Sequence, residues 1–156
     1  MIPDKFKTAI LIFFIVPFMF SCDDDVDHDP IPSVHVNRTI TLNTPSYSDL
    51  NPRGGYVYLD EGYRGIIVYH SLDGEYFAFE RACTYHPNSD CGIVSFRSSS
   101  IEMECGEYVE EDGEEVWEEC CGSKFYTDGT VQSGPARRPL KQYNVTSRGN
   151  DLIISN

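Results

Sequence analysis

The sequence predicts an all-β fold, a small sandwich or barrel, on three observations. Short segments alternate apolar and polar residues with a period of two. Turn signals separate these segments at regular intervals, and no window of useful length carries the 3.6-residue period of a helix. Ten Tyr, nine Phe, 12 Gly and nine Pro among 156 residues also argue against a helical bundle or a disordered chain. The length is that of one domain, or one domain with a tail.

Residues 1–21 read as a secretory leader. Lys5 and Lys7 precede the apolar run Ala9 to Phe20, which ends at Ser21-Cys22. The run is shorter than the roughly 20 apolar residues that span a bilayer, and Pro17 lies within it. Met19-Phe20-Ser21-Cys22 resembles the lipobox of bacterial lipoproteins, with Met where Leu is usual. That resemblance implies that Cys22 is lipidated and becomes the mature N-terminus, tethering the protein to a membrane. Asp23-Asp24-Asp25 resembles the acidic export signal of surface lipoproteins in Bacteroidetes-type bacteria. The expected location is the cell envelope, as an outer-membrane lipoprotein at the surface or in the periplasm, where disulfides persist. Residues 22–33 read as an acidic linker, because Pro30 and Pro32 oppose helix and central strand.

The β domain is expected over residues 34–156. Its strand candidates are Val34 to Leu42, Gly55 to Leu59, Gly65 to His70, Glu75 to Glu80, Ile93 to Phe96, Ser100 to Met103, Lys124 to Tyr126, Leu140 to Val145 and Asp151 to Ile154. Leu72-Asp73-Gly74, Asp112-Gly113 and Asp128-Gly129 supply hairpin turns. No internal repeat is present.

Two segments carry the chemistry. The first runs Arg81-Ala82-Cys83-Thr84-Tyr85-His86-Pro87-Asn88-Ser89-Asp90-Cys91. The second runs Glu118-Glu119-Cys120-Cys121-Gly122-Ser123-Lys124-Phe125, followed by Asp128-Gly129, Gly134-Pro135-Ala136, Pro139-Leu140 and Tyr143. This combination resembles the Rieske iron–sulfur family, whose second motif runs Cys-Pro-Cys-His-Gly-Ser-x-Phe and is followed by the same blocks. The hairpin from Gly65 and Phe79-Glu80-Arg81-Ala82-Cys83-Thr84 also match, so the resemblance covers roughly Val34 to Ile154.

What the resemblance implies is a Rieske-like β fold, a [2Fe–2S] cluster and electron transfer with a redox partner. A Rieske centre takes two Cys on one iron and two His on the other. Here the ligand positions fall on Cys83, His86, Glu118 and Cys121. The first motif is one residue longer than the family's Cys-x-His, Glu118 replaces a ligand Cys, and Cys121 replaces a ligand His. The cluster is therefore expected to be non-standard or lost. Cys91 and Cys120 occupy the positions of the family's structural disulfide. The stretch between the motifs is long and contains Cys105.

Three readings of the cysteines stand open at this point. One is two disulfides and a free thiol, with adjacent Cys120 and Cys121 unable to bond each other readily. Another is a rearranged iron–sulfur site from Cys83, His86 and Cys121 with Glu118, Cys105 or Cys120. The last is a tetrahedral zinc site from Cys83, His86 and two later thiolates. The matching functions are an electron-transfer domain or a clusterless, disulfide-locked scaffold that binds another envelope protein.

Other classes are excluded or weakly supported. Net charge is −13, against nucleic-acid binding, which needs clustered Lys and Arg. Glu102 to Glu119 holds ten carboxylates and no Lys or Arg, and its alternation with Met103, Tyr108, Val109, Val116 and Trp117 predicts a solvated hairpin. No Ser-His-Asp or Cys-His-Asn order is supported by flanking signatures and no Gly-rich phosphate loop appears, so no catalytic residues are assigned.

Overall fold

The computed structural model describes residues 31–98 and 101–156. The leader, Cys22 and residues 22–30 of the linker lie outside the described residues. The strands are β1 (Asn37–Thr41), β2 (Tyr56–Leu59), β3 (Ile66–His70), β4 (Tyr76–Glu80), β5 (Val94–Phe96), β6 (Met103–Glu111), β7 (Glu114–Phe125), β8 (Val131–Ser133), β9 (Gln142–Arg148) and β10 (Asp151–Ser155), with a 3-10 helix at Pro45–Leu50. The all-β expectation holds.

The strands form two antiparallel sheets. One has six strands in the order β1-β10-β9-β4-β3-β2, and the other has four in the order β5-β6-β7-β8. Strand β3 explains how they pack. Ile66 and Val68 join one buried cluster with Ile40, Leu59, Ala78, Tyr143, Leu152 and Ile154, all from the six-stranded sheet, which therefore curls around its own core. Ile67 and Tyr69 point the other way, into a second cluster with Phe79, Val94, Phe96, Met103, Cys105 and Phe125 that joins the two sheets. Burial on both faces accounts for the unbroken apolar run Ile66-Ile67-Val68-Tyr69.

The structure differs locally from the sequence reading: the strand expected over Ser100 to Met103 begins only at Met103, and that expected from Leu140 begins at Gln142. Strand β1 starts at Asn37 rather than Val34, because Val36 N–H and Val34 C=O are held by the Asn156 side chain instead of a ladder. The 3-10 helix starts with Pro45, whose missing N–H costs nothing there, and buries Leu50. At six residues it is too short to show a period. Strand β8 is only three residues long. The acidic hairpin is formed by β6 and β7, with Glu111 opposite Glu114 and Asp112-Gly113 as the turn. Both turn residues have positive φ, 53° and 84°, the requirement of a type I′ turn. Glu107 faces Glu118 and Glu110 faces Glu115, like-charge pairs that oppose pairing. Tyr108 packs edge-on against Trp117 at 5.1 Å and offsets them.

The fully buried Glu80 closes β4. Its Oε1 accepts from Arg64 N–H at 2.8 Å and Ala82 N–H at 3.3 Å. Its Oε2 accepts from Tyr63 N–H at 2.8 Å and Tyr143 O–H at 2.7 Å. Burial, with the Glu80 contact, pushes the Tyr143 phenol upward from its ordinary value. Tyr143→Phe leaves a buried carboxyl oxygen short of a donor, and should cost about 1–3 kcal/mol. Urea unfolding checks this: a midpoint equal to the parent's contradicts the role given to the Tyr143–Glu80 bond.

Candidate thiol site

The first cysteine loop leaves the six-stranded sheet directly after Glu80. Arg81 N–H bonds Gly65 C=O, and Val94 N–H bonds Arg81 C=O at 2.7 Å. The Arg81 side chain lies over the Tyr58 ring and donates to Val94 C=O and Ser95 Oγ. Cys83 N–H then bonds Gly92 C=O at 2.9 Å, closing the base of the loop. Cys83 is fully buried there. Thr84 Oγ1 donates to Arg138 C=O, which ties this loop to the segment before β9.

The second cysteine segment is an irregularity within β7. Glu104 pairs with Lys124 and Gly106 with Glu119, so Cys105 alone on β6 opposes Cys120, Cys121, Gly122 and Ser123 on β7. The extra residues bulge out of the ladder and re-aim their side chains. Gly134 packs onto this bulge so closely that a Cβ there would lie 2.4 Å from Gly122 C=O, and its φ of +89° favours glycine as well. Beside it, Ala136 N–H donates to buried Ser123 Oγ.

The structure brings three free thiols together: Cys83 from the first loop, Cys105 from β6 and Cys121 from the bulge. Their sulfurs all lie within 4.8 Å of one another, and Cys83 Sγ is 3.6 Å from Cys121 Sγ. Cys83 and Cys105 are fully buried, whereas Cys121 is half-buried and donates to Ser123 Oγ at 3.2 Å. Cys91 and Cys120 form a disulfide with a 2.06 Å bond, the pairing implied by the family resemblance. It joins the two loops beside the thiol group.

Among the predicted ligands, Cys83 and Cys121 meet, while His86 and Glu118 stand outside the group of sulfurs. His86 is exposed and lies edge-on to Tyr85 at 4.0 Å. Glu118 is exposed, faces Glu107 across the hairpin and lines an acidic cleft of about 420 Å³ with Ser89, Asp90, Cys91 and Glu107. Cys105, only an alternative ligand in the sequence reading, is a full member. Its signal was strand alternation: Met103 and Cys105 point inward two residues apart, both fully buried. Between them, buried Glu104 pairs with Arg97 and Lys124.

The sulfurs perturb one another. The Cys105 thiol donates to Cys83 and, with backbone bonds at Tyr85 and His86 and a contact from Cys121, brings the Cys83 thiol down to about 6 despite burial. The donating Cys105 is pushed up by the same bond and by desolvation. A depressed folded value means that the unfolded chain binds the extra proton between about pH 6 and the ordinary thiol value near 8.5. Stability of the metal-free, disulfide-intact chain should therefore rise with pH across that window and fall above it as Cys105 resists ionisation. Cys83→Ser should flatten the rise; urea midpoints that climb equally in both proteins would remove the thiolate from Cys83.

Comparison with solved structures places the chain beside a cyanobacterial plasma membrane Rieske protein, PetC3 from Synechocystis PCC 6803. The two share 22% sequence identity with a TM-score of 0.52, over 80% of this chain and 100% of that chain. No family model and no curated protein sequence matches the chain. At this identity the likeness is one of fold, and the arrangement of ten strands in two sheets around the two cysteine segments is a Rieske-like all-β fold.

Proposed function

We propose that this chain is a lipid-anchored, extracytoplasmic electron-transfer domain in which a thiol-only centre replaces the histidine-ligated cluster, and that its partner is another protein of the envelope. The convergence of Cys83, Cys105 and Cys121 carries the reading. A Rieske [2Fe–2S] cluster takes two thiolates and two imidazoles. The described residues gather three sulfurs and leave His86 and Glu118 outside, so they do not fit that cluster. Three thiolates suit soft metals instead. The Cys91–Cys120 disulfide supports an oxidising compartment, and the Lys-apolar-Cys22 pattern supports the anchor. Residues 22–33 serve as the tether.

A second reading, a clusterless scaffold that binds an envelope protein, is favoured by the disulfide, which already joins the two loops without any metal. A structural zinc site is the remaining form of the thiol centre.

Anaerobic purification from membranes separates these readings. The full chain should carry an acylated Cys22 by mass spectrometry and a stoichiometric metal, with no Rieske-type absorption, and Cys83→Ser should remove the metal. Protein that stays metal-free through reconstitution with iron and sulfide, zinc and copper sinks the redox reading and leaves the scaffold. An intact Met1 excludes the anchor.

A further inference from the structure

We propose that Cys83, Cys105 and Cys121 form a three-coordinate site for one monovalent copper ion. This rests on the reading of the thiol group as a metal centre and adds the ion and its geometry. The donor count is the first argument. Structural zinc takes four protein ligands, and [2Fe–2S] clusters likewise take four. Among the described residues, the sulfurs of these cysteines are joined by no fourth Cys, His, Asp or Glu. The polar side chain closest to hand is Ser123, whose Oγ lies 3.2 Å from Cys121 Sγ and already accepts from Ala136 N–H. A filled-shell monovalent ion is satisfied by three soft donors, and thiolates select it.

Size is the second argument. Taking the zinc–sulfur distance of about 2.3 Å as the guide, an ion in a trigonal plane sets the sulfurs about 4.0 Å apart. The observed group is of that size: one separation is 3.6 Å and none exceeds 4.8 Å. Burial is the third: Cys83 and Cys105 are closed to solvent, so only the side of the half-buried Cys121 is open to water. Each thiol that ligates as thiolate releases its proton to solvent, and no electron moves on binding. The strand-borne Cys105 is the distinguishing ligand, since it lies outside both cysteine segments that carry the family resemblance.

The test uses the full chain with its disulfide intact, held anaerobic in ascorbate and titrated with monovalent copper against a chromophoric copper chelator. One copper per chain should bind, with a near-ultraviolet sulfur-to-copper band. X-ray absorption should show three sulfur neighbours and no nitrogen or oxygen. Cys121→Ser and Cys105→Ala should each weaken copper by more than the roughly 100-fold that loss of a supporting contact costs. His86→Ala and Glu118→Gln should change nothing. Cys105 lies in the core, so circular dichroism must show that its variant folds, and the half-buried Cys121 provides an independent variant. Unchanged copper affinity in a folded Cys105→Ala protein overturns the proposal, as does a nitrogen neighbour lost in His86→Ala. Two irons with sulfide per chain, and no competing copper site, overturn the ion's identity while leaving the redox reading. Failure of every metal overturns both.

Discussion

The buried carboxylate of Glu80 is the constraint on which the position of the cysteine site depends. A carboxyl group in a fully buried position is tolerated only when its oxygens are satisfied, and all four of its partners are supplied by fixed elements. Tyr63 and Arg64 hold it from the turn before β3, Tyr143 from β9 and Ala82 from the start of the first cysteine loop. The joint between β4 and β9 pairs only Ala78 with Tyr143 and Phe79 with Gln142. The Glu80 network reinforces that joint where the chain leaves one sheet for the other. Cys83 follows three residues later, so its sulfur inherits a fixed starting point.

The second cysteine segment is fixed differently. No turn positions Cys121; it rides a bulge in β7 that the disulfide and the packing of Gly134 hold in place. Cys91 and Cys120 are 29 residues apart, and closing a loop of that length is worth about 3–4 kcal/mol in the chain-entropy account. The disulfide thus does for the loops what a bound cluster could otherwise do. Among the described residues three thiols remain outside this disulfide, and the core accepts Cys83 and Cys105 as small, polarisable groups.

Charge is partitioned around this site. The acidic residues of the β6–β7 hairpin project mostly into solvent, where like-charge pairs are screened, and the one buried member, Glu104, has two cationic partners. Such a surface suits a basic partner and repels an anionic one.

The sequence by itself determined the all-β class, most strand positions and the hairpin turns, because a two-residue alternation and turn-forming Asp-Gly pairs act locally. Linear blocks such as Gly134-Pro135-Ala136 and Leu140 to Tyr143 also made the fold resemblance legible. The site was legible in part: Cys83, Cys121 and the Cys91–Cys120 pair lie in recognisable segments. Only the tertiary structure showed that the Cys105 sulfur lies beside theirs, with His86 and Glu118 outside the group of sulfurs. A strand's alternation says that Cys105 faces inward, but not what it faces. That depends on a register shift in which one β6 residue meets four on β7, and on a crossover between sheets that brings Cys83 across from β4. Those are long-range pairings, selected by which core packs best, and no local pattern of residues encodes them.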